Sequence, residues 1–356
     1  MKFSVIICTY NYAHFLPDAL RAVAAQTFSD FELLIVDDGS TDNTEEVVRQ
    51  FFGQFRHCVY LKKPHTGLAD SRNFGIRRAS GTHIAFLDAD DLWSPEYLQT
   101  MKSLFETHPL AELVSADVLI VQTSGTIVGP LYPPGLPALC GPITSSRDLF
   151  SFFHYSTPSA LVLRKSLYER IGPLEVCFPV SGEDWDWVLR AILSGAFCIR
   201  HRQKLVLYRL HGSNLTTQAD KIFEAWLWIY KKRLRGQPVD REIKVDVRKQ
   251  IYRWLPSLLA NYPAAKNRQL IAEAIEAVGQ DRWLSAARFL TYFGLSRAAK
   301  FARGMKRFHR RIVKRSQKID LAAAPELMFA AVSKFRQDTE RSKWHPLNWR
   351  LHPPRE

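Results

Sequence analysis

Residues 83–91 read HIAFLDADD, a short apolar run that stops at an acidic cluster. The run His83–Leu87 shows no polar alternation, which predicts a strand buried on both faces, as in a parallel sheet. Asp88, Asp90 and Asp91 follow at its carboxyl end. Because open α/β sheets bind ligands beyond the carboxyl ends of their strands, this stretch predicts both a strand and a ligand-binding edge.

The preceding chain repeats this order of buried strand, polar turn and helix. Phe3–Cys8 (FSVIIC) and Phe31–Val36 (FELLIV) are predicted strands, and the second ends in the acidic turn 37–42. Helices are predicted at 16–26, 45–52 and 68–79, and a third strand is predicted at 57–61. This alternation predicts a Rossmann-like, mostly parallel α/β sheet flanked by helices, with the two acidic segments at one edge.

From about residue 110 the alternation weakens. Strands are predicted at Val114–Val121 and Leu205–Leu210, and a helix at Glu183–Ser194. Gly129–Pro142 is rich in proline and glycine, which predicts a surface loop without regular structure.

The excess positive charge is confined to the last third of the chain. Residues 1–220 hold 19 Lys and Arg against 23 Asp and Glu, whereas residues 221–356 hold 30 against 12. Helical patterns alone occur there, so we predict a catalytic domain over 1–218 and an α-helical, basic C-terminal region over 219–356. The basic amphipathic stretch 298–315 suits an anionic membrane surface or a solvated helical cap, and no module that reads nucleic acid is recognised.

Composition and cysteine usage narrow the class of protein. With 46% hydrophobic residues the chain has ample material for a core, which excludes a fibrous or disordered class. The five cysteines show no zinc-like spacing, which indicates free thiols in a reducing compartment. Phe3–Cys8 is too short for a signal-peptide core, and no apolar stretch reaches about 18 residues. We expect a cytoplasmic protein, or one peripheral to the inner face of the plasma membrane.

Asp88 and Asp90 form a D-x-D pair just past a buried strand. Such a pair can approach one cation, and Mg²⁺ or Mn²⁺ prefers carboxylate oxygens together with substrate phosphates. A diphosphate leaving group needs that cation to offset the charge that develops as a sugar departs. The pair alone is a weak signal, because acidic clusters also cap helices and Ser94-Pro95 can begin one downstream.

Further motifs occur in register with this pair. They are SVIICTYN (4–11), VDDGSTD (36–42), GLADSRNFG (67–75) and FLDADD (86–91). Together they resemble the inverting glycosyltransferase family 2, whose members have the GT-A fold, over roughly residues 1–215. The resemblance extends to PSA (158–160), GED (182–184) and YRLH (208–211). It implies transfer of a sugar from a nucleoside-diphosphate sugar, with uridine as the preferred base, to an acceptor hydroxyl.

The resemblance assigns residues at the strand ends to the donor nucleotide. Asp38 corresponds to the carboxylate that accepts a hydrogen bond from the base ring, and Thr9 and Asn11 line the same nucleoside pocket. Arg72 corresponds to an arginine near the diphosphate, whose planar fork matches phosphate oxygens. The plainer alternatives are a turn-stabilising aspartate before Gly39 and a surface salt bridge for Arg72.

The resemblance also assigns the metal, Mg²⁺ or Mn²⁺. Asp90 is expected as the principal ligand, and Asp88 as a contact to ribose or metal. His211 follows the last predicted strand, where many relatives keep a histidine near the diphosphate or metal. A purely structural histidine is the alternative for His211.

Glu183 and Asp184 resemble the family's catalytic pair. An inverting displacement needs a base that takes the acceptor hydroxyl proton while that oxygen attacks C1 opposite the diphosphate. Asp184 is predicted as this base and Glu183 as a contact to acceptor or sugar hydroxyls; an acidic first helical turn is the alternative. Trp185 and Trp187 either stack on a sugar ring or belong to the core.

The predicted function is inverting, metal-dependent glycosyl transfer in cell-envelope polysaccharide or glycolipid synthesis, with a glycan or lipid-linked acceptor. A nucleotidyltransferase is the first rival, but residues 1–20 lack the glycine-rich phosphate loop that it needs. The second rival is a catalytically retired protein that binds a sugar nucleotide or a glycan on the same scaffold. Retention of the four predicted acidic site residues argues against it: Asp38, Asp88, Asp90 and Asp184.

Overall fold

The computed structural model shows how the predicted strands and helices assemble. It describes residues 1–132, 135–145, 148–149, 151–152, 157–176, 182–214, 219–234 and 273. The basic stretch 298–315 and most of the predicted C-terminal region lie outside the described residues. Within the described parts, no helix has both the length and the apolar character that crossing a membrane requires.

The strands of the described residues join in one sheet. The first four are β1 (Phe3–Thr9), β2 (Phe31–Asp37), β3 (Cys58–Lys62) and β4 (His83–Asp88). The others are β5 (Leu92–Trp93), β6 (Leu113–Gln122), β7 (Ile127–Pro130), β8 (Leu139–Pro142), β9 (Leu161–Arg164) and β10 (Phe197–Leu210).

Helices cover the sheet and connect its strands. They are α1 (Leu16–Ala24), α2 (Thr44–Phe51), α3 (Leu68–Arg78), α4 (Tyr97–Thr107), α5 (Lys165–Ile171), α6 (Glu183–Leu193) and α7 (Ala219–Ile229). Short 3₁₀ turns occur at Phe52–Gln54 and Pro158–Ala160, and a π-helix, Tyr230–Leu234, continues α7. The elements predicted before residue 90 agree with these bounds to within two residues.

The sheet has the order β3-β2-β1-β4-β9-β6-β10-β5, with β7 beside β6 and β8 beside β10. The first four strands are parallel, whereas β9 runs antiparallel to both of its neighbours. Because β1 lies inside the sheet and both faces are covered, all of its residues are buried. The carboxyl ends of β1, β2 and β4 therefore meet at one edge, as the sequence predicted.

Helix α3 packs unusually close to the sheet. A Cβ atom on Gly75 would lie 2.7 Å from Ile6 Cγ2, so a larger residue there would push the helix away. The Asn73 side chain connects α3 to the segment after α5, since it donates to Leu174 O (2.9 Å) and accepts from Leu174 N (2.9 Å). This close packing buries Arg72 against the sheet edge.

Gly129–Pro142 departs from the sequence-based expectation. The end of β7 and the whole of β8 lie in this segment, and each pairs antiparallel with one strand, β6 or β10. Leu131 and Tyr132 are buried, and Tyr132 N donates to Asp117 Oδ1 (3.0 Å). Pro130 and Pro142 are tolerated because each is the last residue of its strand. The prediction of a surface loop without regular structure was therefore wrong for Gly129, Pro130 and Leu139–Pro142, which lie in strands.

The first helix of the predicted C-terminal region shares the core of the sheet. Ile222, Phe223 and Trp226 on α7 are buried in the hydrophobic cluster that also contains Ile6 and Trp185. The boundary predicted between residues 218 and 219 thus separates two elements that are packed together.

Candidate active site

Arg72 joins two segments at the edge of the sheet. Its Nη1 donates to Glu183 Oε1 (2.7 Å) and its Nη2 donates to Asp88 Oδ1 (2.8 Å). Burial alone would lower the pKa of Arg72, but Asp88 and Glu183 outweigh it and raise that pKa. Burial raises the pKa of Asp88, against the opposing charge of Arg72 and together with the like charge of Asp90. The predicted diphosphate and catalytic residues are therefore in direct contact.

Asp91 connects the end of β4 to Ser159, just before β9, and to Arg209 on β10. Its Oδ2 accepts the Ser159 hydroxyl (2.6 Å) and its Oδ1 accepts Arg209 N (3.1 Å). Ser159 Oγ also accepts the backbone N–H of Asp88 (3.1 Å). Burial, followed by the carboxylates of Asp90 and Asp88, raises the pKa of Asp91 well above its ordinary value. These contacts fix the backbone on which the D-x-D pair lies.

Asp90 lies against His211, with 2.8 Å between Oδ2 and Nε2. His211 Nδ1 lies 2.8 Å from Ser213 Oγ, and the Asn214 side chain accepts His211 N (2.6 Å). A carboxylate and an oriented imidazole beside Asp88 are donors that fit Mn²⁺ or Mg²⁺. Within the described parts, no three His, Cys, Asp or Glu side chains form a complete ion site. A cation here would complete its shell with ligand oxygens such as phosphates.

Glu183 and Asp184 open helix α6. Gly182 precedes them with φ +108°, a left-handed conformation that lets the chain turn sharply into the helix. Asp184 Oδ1 accepts Trp185 N (2.9 Å). Burial and then the charge of Glu183 raise the pKa of Asp184 to about 7, although Arg72 lowers it. A carboxylate with this pKa suits general base catalysis near neutral pH.

Both carboxylate oxygens of Asp38 are hydrogen-bonded by the loop after β3. Lys63 Nζ and Thr66 N (3.0 Å) donate to Oδ1, while Gly67 N (2.8 Å) and His65 Nδ1 (2.8 Å) contact Oδ2. Burial would raise the pKa of Asp38, but Lys63 and the two backbone N–H groups hold it below the ordinary value. The His65 side chain is half-exposed, whereas that of Lys63 is buried.

Thr9 and Asn11 lie at the end of β1, on either side of Tyr10. The Thr9 hydroxyl is buried and has no hydrogen-bond partner among the described residues. Asn11 adopts φ +55°, and its Oδ1 accepts the backbone N–H groups of Thr41 (2.8 Å) and Asp42 (3.3 Å). Asn11 therefore orders the turn after β2, and its contact with a nucleoside stays a prediction.

The two tryptophans after Asp184 are core residues. Both are buried: Trp185 stacks on Trp226 with 4.9 Å between ring centroids, and Trp187 Nε1 donates to Gly172 O (3.0 Å). Of the two interpretations left open by the sequence, the structure supports the core one.

Known proteins resemble this chain in sequence. The model of Glycosyl transferase family 2 matches residues 4–171. The PGL/p-HBAD biosynthesis glycosyltransferase of Mycobacterium bovis is 30% identical over 224 residues, which cover 62% of this chain and 82% of that protein. The chain belongs to glycosyl transferase family 2. An uncharacterized glycosyltransferase of Nostoc sp. is 34% identical over 226 residues, and the match covers 60% of this chain and 66% of that protein.

Solved structures share the fold of this family 2 member. S. aureus TarS 1-349 in complex with UDP-GlcNAc matches with a TM-score of 0.60 at 18% identity, covering 95% of this chain and 92% of that one. The mannosyltransferase PcManGT from Pyrobaculum calidifontis, in complex with GDP-Man and Mn²⁺, gives a TM-score of 0.54 at 16% identity, with coverages of 95% and 87%. The predicted GT-A fold and the predicted family are thus confirmed.

Sequence reasoning missed several contacts that build this family 2 site. Asp91 and Ser159 lay within quoted motifs, but nothing in the sequence indicated that they would meet. Lys63 and His65 follow the third strand in the segment KPHTG, outside the motifs used. Their position at a parallel strand end, beside the end of β2, was the available signal.

Proposed function

We propose that this chain is an inverting glycosyltransferase that moves a sugar from a nucleoside-diphosphate sugar to an acceptor hydroxyl. One observation carries the proposal: Arg72 holds Asp88 of the D-x-D pair and Glu183 of the catalytic pair at 2.8 Å and 2.7 Å. Residues that are 16 and 111 positions away from Arg72 therefore share one guanidinium. A single site that holds both the donor phosphates and the acceptor base needs this proximity.

The donor end of the site is assigned to the ends of β1, β2 and β4. Thr9, Asn11 and Asp38 surround the nucleoside, and a base-ring N–H would replace His65 as a donor to Asp38. Arg72 lies next to the diphosphate. UDP-GlcNAc in TarS and GDP-Man in PcManGT support a nucleoside-diphosphate sugar as donor. We propose a UDP-linked hexose, since Asp38 suits the ring N–H of uracil.

A divalent cation, Mg²⁺ or Mn²⁺, is assigned to Asp90, with Asp88 and His211 as further ligands. When bound, this cation would offset the negative charge that grows on the departing diphosphate. The proposal is supported by the Mn²⁺ in PcManGT and by the mutual repulsion of Asp88, Asp90 and Asp91, which a cation relieves. Asp90 Oδ2 and His211 Nε2 lie 2.8 Å apart, so both atoms could bind one cation that replaces their mutual contact.

Asp184 is assigned as the general base. It takes the proton of the acceptor hydroxyl while that oxygen forms a bond to C1 of the sugar. The bond from C1 to the diphosphate oxygen breaks on the opposite face, and its electron pair leaves with the nucleoside diphosphate. Glu183, held by Arg72, contacts hydroxyls of the acceptor or of the sugar. This step inverts the configuration at C1 and needs one protein base.

The name of one relative supports an assignment of the biological setting. The mycobacterial relative carries the name PGL/p-HBAD biosynthesis glycosyltransferase, which supports a biosynthetic role in the cell envelope with a glycan or lipid-linked acceptor. We place the protein in the cytoplasm, at the inner face of the plasma membrane, with the basic residues of 298–315 against anionic lipid.

A panel of nucleoside-diphosphate sugars tests this function. Donor hydrolysis and thermal shift would be measured with Mn²⁺, Mg²⁺ or EDTA on the wild type, Asp90→Ala and Asp184→Asn. We expect metal-dependent binding of one donor, lost in Asp90→Ala, and binding without turnover in Asp184→Asn. Wild-type protein that binds a donor but never turns it over with any acceptor would favour the retired, sugar-nucleotide-binding alternative. Absence of binding to every donor would overturn the proposal.

A further inference from the structure

Asp186 is a buried carboxylate that the proposed chemistry does not use. It lies on α6 two residues after Asp184, and its side chain is 0% exposed. Its Oδ1 accepts Arg233 Nε (2.6 Å), while its Oδ2 accepts Arg190 Nε (3.0 Å) and Arg233 Nη2 (3.1 Å). A buried charge of this kind is strongly unfavourable unless it is paired and fully hydrogen-bonded. The two arginines therefore keep this carboxylate inside the protein.

The two arginines attach Asp186 to different parts of the chain. Arg190 belongs to α6 itself, and its other nitrogens donate to Ile171 O (2.8 Å) and Pro173 O (2.7 Å). Arg233 is 47 positions away, on the π-helix that continues α7. It makes a paired contact with the carboxylate through Nε and Nη2, the geometry that fixes orientation best. Arg233 is thus a direct link from the predicted C-terminal region to the helix that begins with Glu183.

Arg233 is itself held in place. Its guanidinium lies 5.3 Å from the centre of the Trp228 ring and 3.6 Å from Glu175 Oε2. Leu234 beside it is buried, and the stacked pair Trp185 and Trp226 fixes α7 against α6. The C-terminal side of this contact is therefore a packed element, not a loose side chain.

Helix α6 is bound by arginines through two carboxylates, one on each side of the base Asp184 in the sequence. Glu183 and Asp186 are three residues apart, so they lie on neighbouring positions of one helix face. Arg72 binds Glu183 from α3, and Arg233 binds Asp186 from the C-terminal side. Asp184 lies between them in the first turn. A shift of about 1 Å in a reacting group can cost about 100-fold in rate, so this double grip bears directly on turnover.

We propose that Arg233 is a positioning residue for glycosyl transfer, which through Asp186 fixes the orientation of α6 and of the base Asp184. The inference rests on the proposed function, because Asp184 acts as base only there. It gives the residues after 218 a part in turnover that is independent of any membrane contact. The catalytic unit accordingly extends at least to Leu234.

The test compares variants of the full chain in donor hydrolysis and thermal denaturation. Arg233→Met keeps the apolar stem and removes the charge, whereas Arg233→Lys keeps the charge and removes the fork. Asp186→Asn and the double variant Asp186→Asn/Arg233→Met remove the other partner or both. Lys232→Met, an exposed neighbour on the same π-helix, is the matched control.

Arg233→Met should lower kcat about tenfold or more and leave the donor KM within about twofold, since α3 and the nucleotide side are untouched. Arg233→Lys should fall between it and the wild type, and Lys232→Met should match the wild type. In Arg233→Met the Asp186 carboxylate keeps only Arg190 as its cation, and its Oδ1 loses the Arg233 donor. The double variant removes that under-paired charge, so its Tm should recover relative to Arg233→Met. Its kcat should stay low, because the grip on α6 is still missing.

Two results would overturn the positioning role. The first is a folded Arg233→Met variant with the kcat of the wild type. The second is recovery of both Tm and kcat in the double variant, which would mean that the Arg233–Asp186 pair only balances charge. Failure of the proposed function shows separately, as a wild type that turns over no donor in any metal. In that case the positioning role falls with it, while the Tm values still report the Arg233–Asp186 pair as structural.

Discussion

The two halves of the sheet bring their site residues together in different ways. In the half built by β1 to β4, contacts join neighbouring strand ends, such as Asn11 with Thr41 and Asp38 with Lys63. Contacts that involve the half built by β6, β9 and β10 span long distances in sequence, such as Asp91 with Arg209. Parallel strand order makes the first kind predictable, whereas the second kind depends on packing that only the folded chain shows.

The largest effect is expected where one side chain joins the two halves. Arg72→Met leaves Asp88 and Glu183 as partly or fully buried carboxylates without their cation. Breaking a buried pair in this way costs about 3–5 kcal/mol of stability, and we expect turnover to fall by about a thousandfold. Chemical denaturation and donor hydrolysis measure the two effects.

Arg72→Lys is the matched control, because it keeps one charge but reaches only one of the two carboxylates well. We expect it to retain part of the stability and little of the turnover. If Arg72→Met is as active as the wild type, the two halves do not meet at this guanidinium in the working enzyme.

The second largest effect concerns pH. Asp184, whose pKa is raised to about 7, must be deprotonated to accept the acceptor proton. Turnover should therefore rise with pH up to about 7 and level off above it. Two pH units below that pKa only about 1% of the base is ionised, so kcat should drop about 100-fold. Initial rates measured across this range at saturating donor and fixed ionic strength provide the test.

This pH profile also separates the two halves of the site. Arg72 lowers the pKa of Asp184, so the rising limb should move to higher pH in the residual activity of Arg72→Lys if the lysine lies farther from Asp184. A rate that does not change between pH 5 and pH 8 would mean that Asp184 is not the base.

The sequence predicted the strands of the first half almost completely and those of the second half only in part. Strand β4 and its Asp88 and Asp90 could be placed because a continuous apolar run ending in carboxylates has few other interpretations. Ser159 could be quoted as part of a motif, but its contact with Asp91 requires β9 to lie between β4 and β6, an order that no local pattern encodes. Strand order is set by burial across the whole sheet.

The same reason explains the errors and omissions after residue 110. Strand β8 was predicted as loop because Leu139–Pro142 is short and contains glycine and proline; pairing with β10 orders it nonetheless. Asp186 carried no prediction from the sequence, and only the folded chain shows that Arg233 reaches it. Tertiary contacts overrode local propensity in both places.

The third prediction concerns a substitution that weakens the contact between the two halves of the sheet without removing a charge. Ser159→Ala deletes the hydroxyl that donates to Asp91 Oδ2 and accepts Asp88 N. Leaving a buried polar group without its hydrogen-bond partner costs about 1–3 kcal/mol. We expect that loss in denaturation, with about a tenfold lower kcat because the D-x-D backbone is less firmly held. Ser103→Ala, on the exposed face of α4, should change neither quantity. Equal stability of Ser159→Ala and the wild type would show that the tie is dispensable.

The smallest effect is expected from substitution of one glycine in each half of the sheet. Gly39 and Gly135 both have φ +83°, so an alanine at either position pays roughly 1–2 kcal/mol for a left-handed backbone. At Gly39 the new Cβ would also lie 2.9 Å from His65 N, in the loop that surrounds Asp38, whereas at Gly135 no described atom lies within 4 Å. Gly39→Ala should therefore be less stable than Gly135→Ala by about 1 kcal/mol, within the range for overpacking. It alone should weaken donor binding in thermal shift, because the loop must move away from Asp38. Equal donor binding by the two variants would show that this loop takes no part in holding the nucleotide.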